Sequence, residues 1–167
     1  MVRRSLYCVL GIVIEGNLRG FAMASSGKHS TSETATQSAQ PSPSKVREQQ
    51  SQLDFELDFF EGIIQRNPKF IDVLRVHGNN LTLKGLFADG LKVDLRIVEI
   101  RPADPLAHYN LACSFSLVGK VDAALRTLRR AVELGYNDFS YMREDHDLDA
   151  LRSDPRFRQM LREFENC

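Results

Sequence analysis

Residues 107–136 read AHYNLACSFSLVGKVDAALRTLRRAVELGY, and the architecture turns on them. From Val121 to Leu134 the apolar positions Val121, Ala124, Leu125, Leu128, Ala131 and Val132 recur at helical spacing, with Arg126, Arg129 and Arg130 on the other face. Gly119 stands where a preceding helix must stop and turn, in a left-handed geometry that only glycine meets cheaply. Asp104-Pro105 supplies that preceding helix with an N-cap and a first-turn proline. The stretch therefore predicts two helices joined by a tight turn.

The same pattern recurs upstream. Pro68 and Pro102 close the similar segments GIIQRNP and RIVEIRP, and one more step of the same length reaches Tyr136 in RAVELGY. When Ile71–Asp104 is laid on Pro105–Asp138, Gly78 falls on Ala112, Gly85 on Gly119 and Gly90 on Ala124. Small residues at these positions let two antiparallel helices approach closely, and the proline ends one unit before the next begins. Downstream, Asp154-Pro155 opens a last helix with an apolar stripe of Phe157, Met160, Leu161 and Phe164. That helix is expected to cover the face that a terminal repeat would otherwise expose.

On these residues the chain resembles the tetratricopeptide repeat (TPR) family, whose repeating unit is a pair of helices with the same period. Leu111, Ala112, Phe115, Gly119, Ala124, Leu128 and Ala131 stand where that family places its large and small core residues, and Tyr136 replaces the usual proline. The earlier window departs further: His77 stands where the family has Leu, and Asp94 where it has a large apolar residue. Residues 53–70, with Phe60 and Ile63, resemble the second helix of a truncated preceding repeat, and 139–167 the segment that follows the last repeat in bacterial members. The resemblance implies an all-α fold over residues 53–167: a short right-handed solenoid of antiparallel helix pairs, with repeats at 71–104 and 105–138 and a C-terminal capping helix.

The first 52 residues differ in kind. They carry six bases and three acids, whereas the rest of the chain carries 16 and 19, and the whole is neutral. Residues 24–52 are rich in Ser, Thr, Gln and Pro, with Val46 the sole large aliphatic side chain, so nothing offsets the entropy of ordering them. A disordered polar leader is expected over residues 1–52. Within it, Arg3-Arg4 before the run Leu6–Ile14, and Ala22-Met23-Ala24 after it, have the outline of a secretory signal. Glu15, Asn17 and Arg19 lie between the run and the cut, which fits instead a start at Met23, or a short amphipathic stretch at a membrane surface. These readings stay open.

Chemistry finds little to stand on. Cys8, Cys113 and Cys167 form no CxxC pair and leave one over, which points to a reducing compartment. No apolar run approaches the ~20 residues that span a bilayer, and a neutral chain lacks the basic excess of a nucleic-acid binder. A cytoplasmic location is expected, or export if residues 1–24 act as a signal. His146-Asp147 matches the pair some metal phosphohydrolases use, but no HxxxH or HExxH partner accompanies it. Glu144, Asp145 and Asp147 read instead as solvated residues, with Asp147 capping Leu148–Arg152. The glycines are single and spaced for turns, so no phosphate loop forms. No metal, cofactor, small-molecule substrate or catalytic residue is expected.

Surface recognition remains. In a stack of helix pairs the first helix of each pair lines a concave face. The resemblance sets Asp72, Arg75, Val76 and Asn79 there from the first window, and Leu106, Tyr109, Asn110 and Cys113 from the second. Arg75 offers a fork to a carboxylate, Tyr109 a rigid aromatic anchor, and Asn79 and Asn110 amides for a peptide backbone. Alternatively, Tyr109 and Leu106 pack against a neighbouring helix. The Lys and Arg pairs of the family's chaperone-tail clamps are absent, with Asp72 and Leu106 at related sites. The expected function is non-catalytic binding of a protein or peptide on this face. The alternative is self-association into a homo-oligomer through the end helix or through Phe55, Phe59 and Phe60.

Overall fold

The computed structural model describes residues 43–165. The readings of residues 1–23, the polar stretch 24–42, Cys8 and Cys167 lie outside the described residues. Among the described residues the chain is all-helical: α1 (Pro43–Arg66), α2 (Ile71–Leu83), α3 (Phe87–Ile100), α4 (Pro105–Leu117), α5 (Val121–Glu133), α6 (Phe139–Glu144), a 3₁₀ turn (His146–Leu148), α7 (Asp149–Arg152) and α8 (Pro155–Glu165). Successive helices from α1 to α5 pack on one another, and the segment after α5 folds back on α4 and α5. None of the helices among the described residues is long and apolar enough to cross a membrane.

α1 begins at Pro43, inside the stretch expected to be disordered leader. That helix start has a local cause. Proline pre-sets the dihedral of a first helical residue. Gln, Glu, Lys and Arg then lose little side-chain freedom in a helix. Arg47, Glu48 and Gln50–Gln52 are exposed, and among the described side chains burial in this helix begins at Leu57 and Ile64.

The helix ends follow the repeat. At Gly85, Gly119 and Gly135 the chain passes through φ of 81°, 75° and 109°. Each glycine sits in the same pair of bonds. The residue after it donates its N–H to a carbonyl five residues back (Leu86 to Leu81, Lys120 to Phe115, Tyr136 to Ala131, at 2.8–2.9 Å), and the glycine itself donates to one three back at 2.9 Å. These bonds satisfy carbonyls a helix terminus would otherwise orphan. At α4 the Asp104 carboxylate accepts from the N–H groups of Leu106 and Ala107 at 2.9 and 3.2 Å, as expected of an N-cap.

Close approach follows as well. A Cβ built on Gly78 would lie 3.2 Å from Val93 Cγ1, and one on Gly90 3.0 Å from Thr82 Oγ1, so α2 and α3 touch where the small residues stand. Ala112 and Ala124, their counterparts, are wholly buried between α4 and α5. Two apolar clusters result. Ile64, Val73, Leu74, Ile97 and Ala107, with Phe60 and Ile63 against them, join α1 to the first pair. Tyr109, Leu128 and their neighbours join the second pair to Met142, Leu148, Leu151, Phe157, Met160 and Leu161 from the C-terminal segment.

Candidate functional site

α2 and α4 carry the residues expected to recognise a partner, and the structure divides them. Arg75, one turn into α2, directs its Nη2 to Asp104 Oδ2, so the carboxylate that caps α4 also holds α2. The guanidinium expected to fork onto a partner's carboxylate is therefore engaged within the chain, and its Nε is buried without a hydrogen-bond partner. Asp72 is exposed, whereas Val76, Asn79, Leu106 and Asn110 are half-buried. The side-chain carbonyl oxygens of Asn79 and Asn110 are both buried and accept no hydrogen bond. An amide in that state is costly unless something donates to it.

Tyr109 and Cys113 are elsewhere. Both are buried, at 0% and 1% exposure, rather than open on a recognition face. The Tyr109 ring stacks on Tyr136 with centroids 4.1 Å apart and 4° between planes, and tilts against Tyr141 at 6.2 Å. Its hydroxyl donates to Asp145 Oδ2 at 2.7 Å, and Cys113 Sγ donates to the same oxygen at 3.7 Å. The segment after α5 thus covers them, and the rigid aromatic anchor expected on the surface is an internal joint.

Asp145 departs from the expectation set by the sequence. It is buried rather than solvated, caps the 3₁₀ turn by accepting the Asp147 N–H at 3.0 Å, and takes Arg152 Nη2 on its main-chain carbonyl at 2.9 Å. Asp147, expected to be the cap, is 2% exposed instead of solvated. Two aspartates flank His146, and Asp145, which also accepts the Tyr109 hydroxyl, is the one that caps the turn. Cys113, Asp145 and Asp147 bring their ligand atoms within 4.8 Å of one another. Within that group Asp145 Oδ2 accepts from the Tyr109 hydroxyl and the Cys113 thiol, and its Oδ1 from the Asp147 N–H.

The departures from the repeat pattern have partners too. Asp94 on α3 is buried and accepts the Ser114 hydroxyl from α4, linking the two pairs. His77, 7% exposed, sets Nε2 3.4 Å from Glu61 of α1. Burial pushes its pKa below the ordinary 6.5, against the opposing pull of Glu61. Asn80 adds a bond from α2 to Glu56 of α1 at 2.9 Å.

No family model matches this chain. Among curated proteins it is similar to a chloroplastic protein of Arabidopsis thaliana, at 40% identity over 60 residues, or 36% of this chain and 18% of that protein. The matched part therefore spans less than a fifth of that relative's length.

Proposed function

We propose that the chain is a short right-handed solenoid of antiparallel, TPR-like helix pairs. Its function is non-catalytic: it binds an extended segment of a protein partner on the face of α2 and α4. Support for the repeat comes from the matching helix ends at Gly85 and Gly119 and from the paired close approaches of Gly78/Gly90 and Ala112/Ala124. The observation that carries the binding reading is the pair Asn79 and Asn110. Both are half-exposed, and both keep a side-chain carbonyl without a donor. By turning outward these amides accept main-chain N–H groups of an extended chain, while Leu106 and Val76 take its apolar side chains. The carboxylate of Asp72 at the edge favours a basic residue in that segment. A photo-reactive p-benzoylphenylalanine in place of Leu106 should capture the partner in cells, and the same group in place of exposed Leu95 on α3 should not. Equal capture by both, or by Leu95 alone, overturns the reading.

Self-association is the second reading. Phe55 and Phe59 favour it: they lie 65% and 54% exposed on α1 with rings stacked at 6.2 Å. Phe60, partly buried, packs against the internal cluster and sets its ring edge-on to Phe59 at 5.5 Å. The relative's chloroplast location sets a second expectation beside the cytoplasmic one. Chloroplast import of a reporter fused to residues 1–52 favours the chloroplast, and its retention outside favours the cytoplasm.

A further inference from the structure

A cleft of about 660 Å³ lies between α1, α2 and the start of α3, and it shares no residue with the face described above. Leu57, Leu81 and Val93 form its apolar part, and Leu86 is 41% exposed at its edge. One side is acidic. Asp54, Asp58 and Glu61 follow one another at intervals of four and three along α1, so they share a face over about 10 Å of helix.

Only part of that charge is answered. Lys84 meets Asp54, and Lys92 lies 2.8 Å from Asp89. Asp58 has no partner among the described residues, and Glu61 faces only the His77 ring. His77 lines the cleft almost fully buried; with Nε2 turned to Glu61, its Nδ1 has no hydrogen-bond partner. An apolar floor, a rim carboxylate without a partner at Asp58, a second at Glu61 that meets only an imidazole, and a buried imidazole nitrogen together fit an amphipathic occupant that brings cations.

We propose that this cleft is a second docking surface, whose occupant is a basic amphipathic helix of a partner protein. Its apolar side chains lie on Leu57, Leu81 and Val93, and Lys or Arg spaced one turn apart reach Asp58 and Glu61. A second copy of this chain fits less well. Its arginine-bearing helices α5 and α8 already bury their apolar stripes on each other and on α4.

The test uses the full chain and a fluorescent helix-forming peptide of Leu and Lys, on the order of 14 residues, beside its Leu and Glu counterpart. The Leu/Lys peptide should bind saturably and shift the amide resonances of Leu57, Leu81 and Val93. The Asp58→Lys/Glu61→Lys variant should bind it about tenfold more weakly while keeping the parent's circular dichroism. Asp58→Asn/Glu61→Gln should fall between, which separates loss of attraction from damage to α1. The proposal is overturned if both peptides bind alike or if charge reversal leaves affinity unchanged. Resonance shifts confined to α2 and α4 overturn it while leaving the proposed function standing. Absence of binding also overturns it, and self-association lost on charge reversal would then assign the cleft to a second copy.

Discussion

Tyr109 and Asp145 are joined by a 2.7 Å bond across 36 residues of sequence, with both residues out of water. Removing the hydroxyl leaves a buried carboxylate short of a donor, a loss on the order of 1–3 kcal/mol. Tyr109→Phe should therefore lower the urea midpoint, with the far-ultraviolet spectrum unchanged. An unaltered midpoint would mean that Asp145 finds another donor. His77 allows a pH prediction. The folded chain protonates this imidazole less readily than the unfolded chain, whose histidine titrates near the ordinary 6.5. As pH falls through that value the unfolded state binds the extra proton, so stability falls with it. The drop in urea midpoint from about pH 7.5 to about pH 5.5 should be smaller in His77→Leu than in the parent. An equal drop would assign the pH dependence to other groups. His77 and Asp94 mark the limit of what sequence could tell at this scale. Both break the repeat pattern, yet Glu61 and Ser114, which answer them, stand on other helices and are joined to them only by packing.

Element by element, more was legible. Gly85, Gly119, Asp104-Pro105 and Asp154-Pro155 fix starts and stops through local dihedrals and caps, which depend on neighbours in sequence. The small residues at 78, 90, 112 and 124 were legible because a helix pair needs them wherever its backbones meet. Gly90→Leu should cost on the order of 1–3 kcal/mol by overpacking, since even a Cβ there comes within 3.0 Å of Thr82 Oγ1. Thermal unfolding measures this; an unchanged midpoint would show that α3 can slide away from α2. The start of α1 was not legible, because residues 43–52 have no apolar pattern and are carried by the helix that follows them. The pairing of Arg75 with Asp104 was hidden likewise, since the first helix of one window had to meet the cap that opens the next.

For the whole molecule, the two apolar clusters explain how two complete helix pairs suffice. α1 covers the first pair and the segment 139–165 covers the second, so each end has a partner that a bare array would lack. The same covering takes Tyr109 and Cys113 off the face of α2 and α4 proposed for binding, where Asp72 is exposed and Val76, Asn79, Leu106 and Asn110 are half-buried. With both ends covered, light scattering at micromolar concentration should give the mass of a single chain. A dimer that Phe55→Ser/Phe59→Ser dissociates would favour the self-associating reading.

Binding on the face of α2 and α4 is decided by quantitative affinity capture from the source cells with the full chain, beside an Asn79→Ala/Asn110→Ala variant of equal helicity and the Phe55→Ser/Phe59→Ser variant. The expected result is a protein enriched by the parent and by the phenylalanine variant and lost from the asparagine variant. Recovery of the same protein by the asparagine variant would contradict binding there.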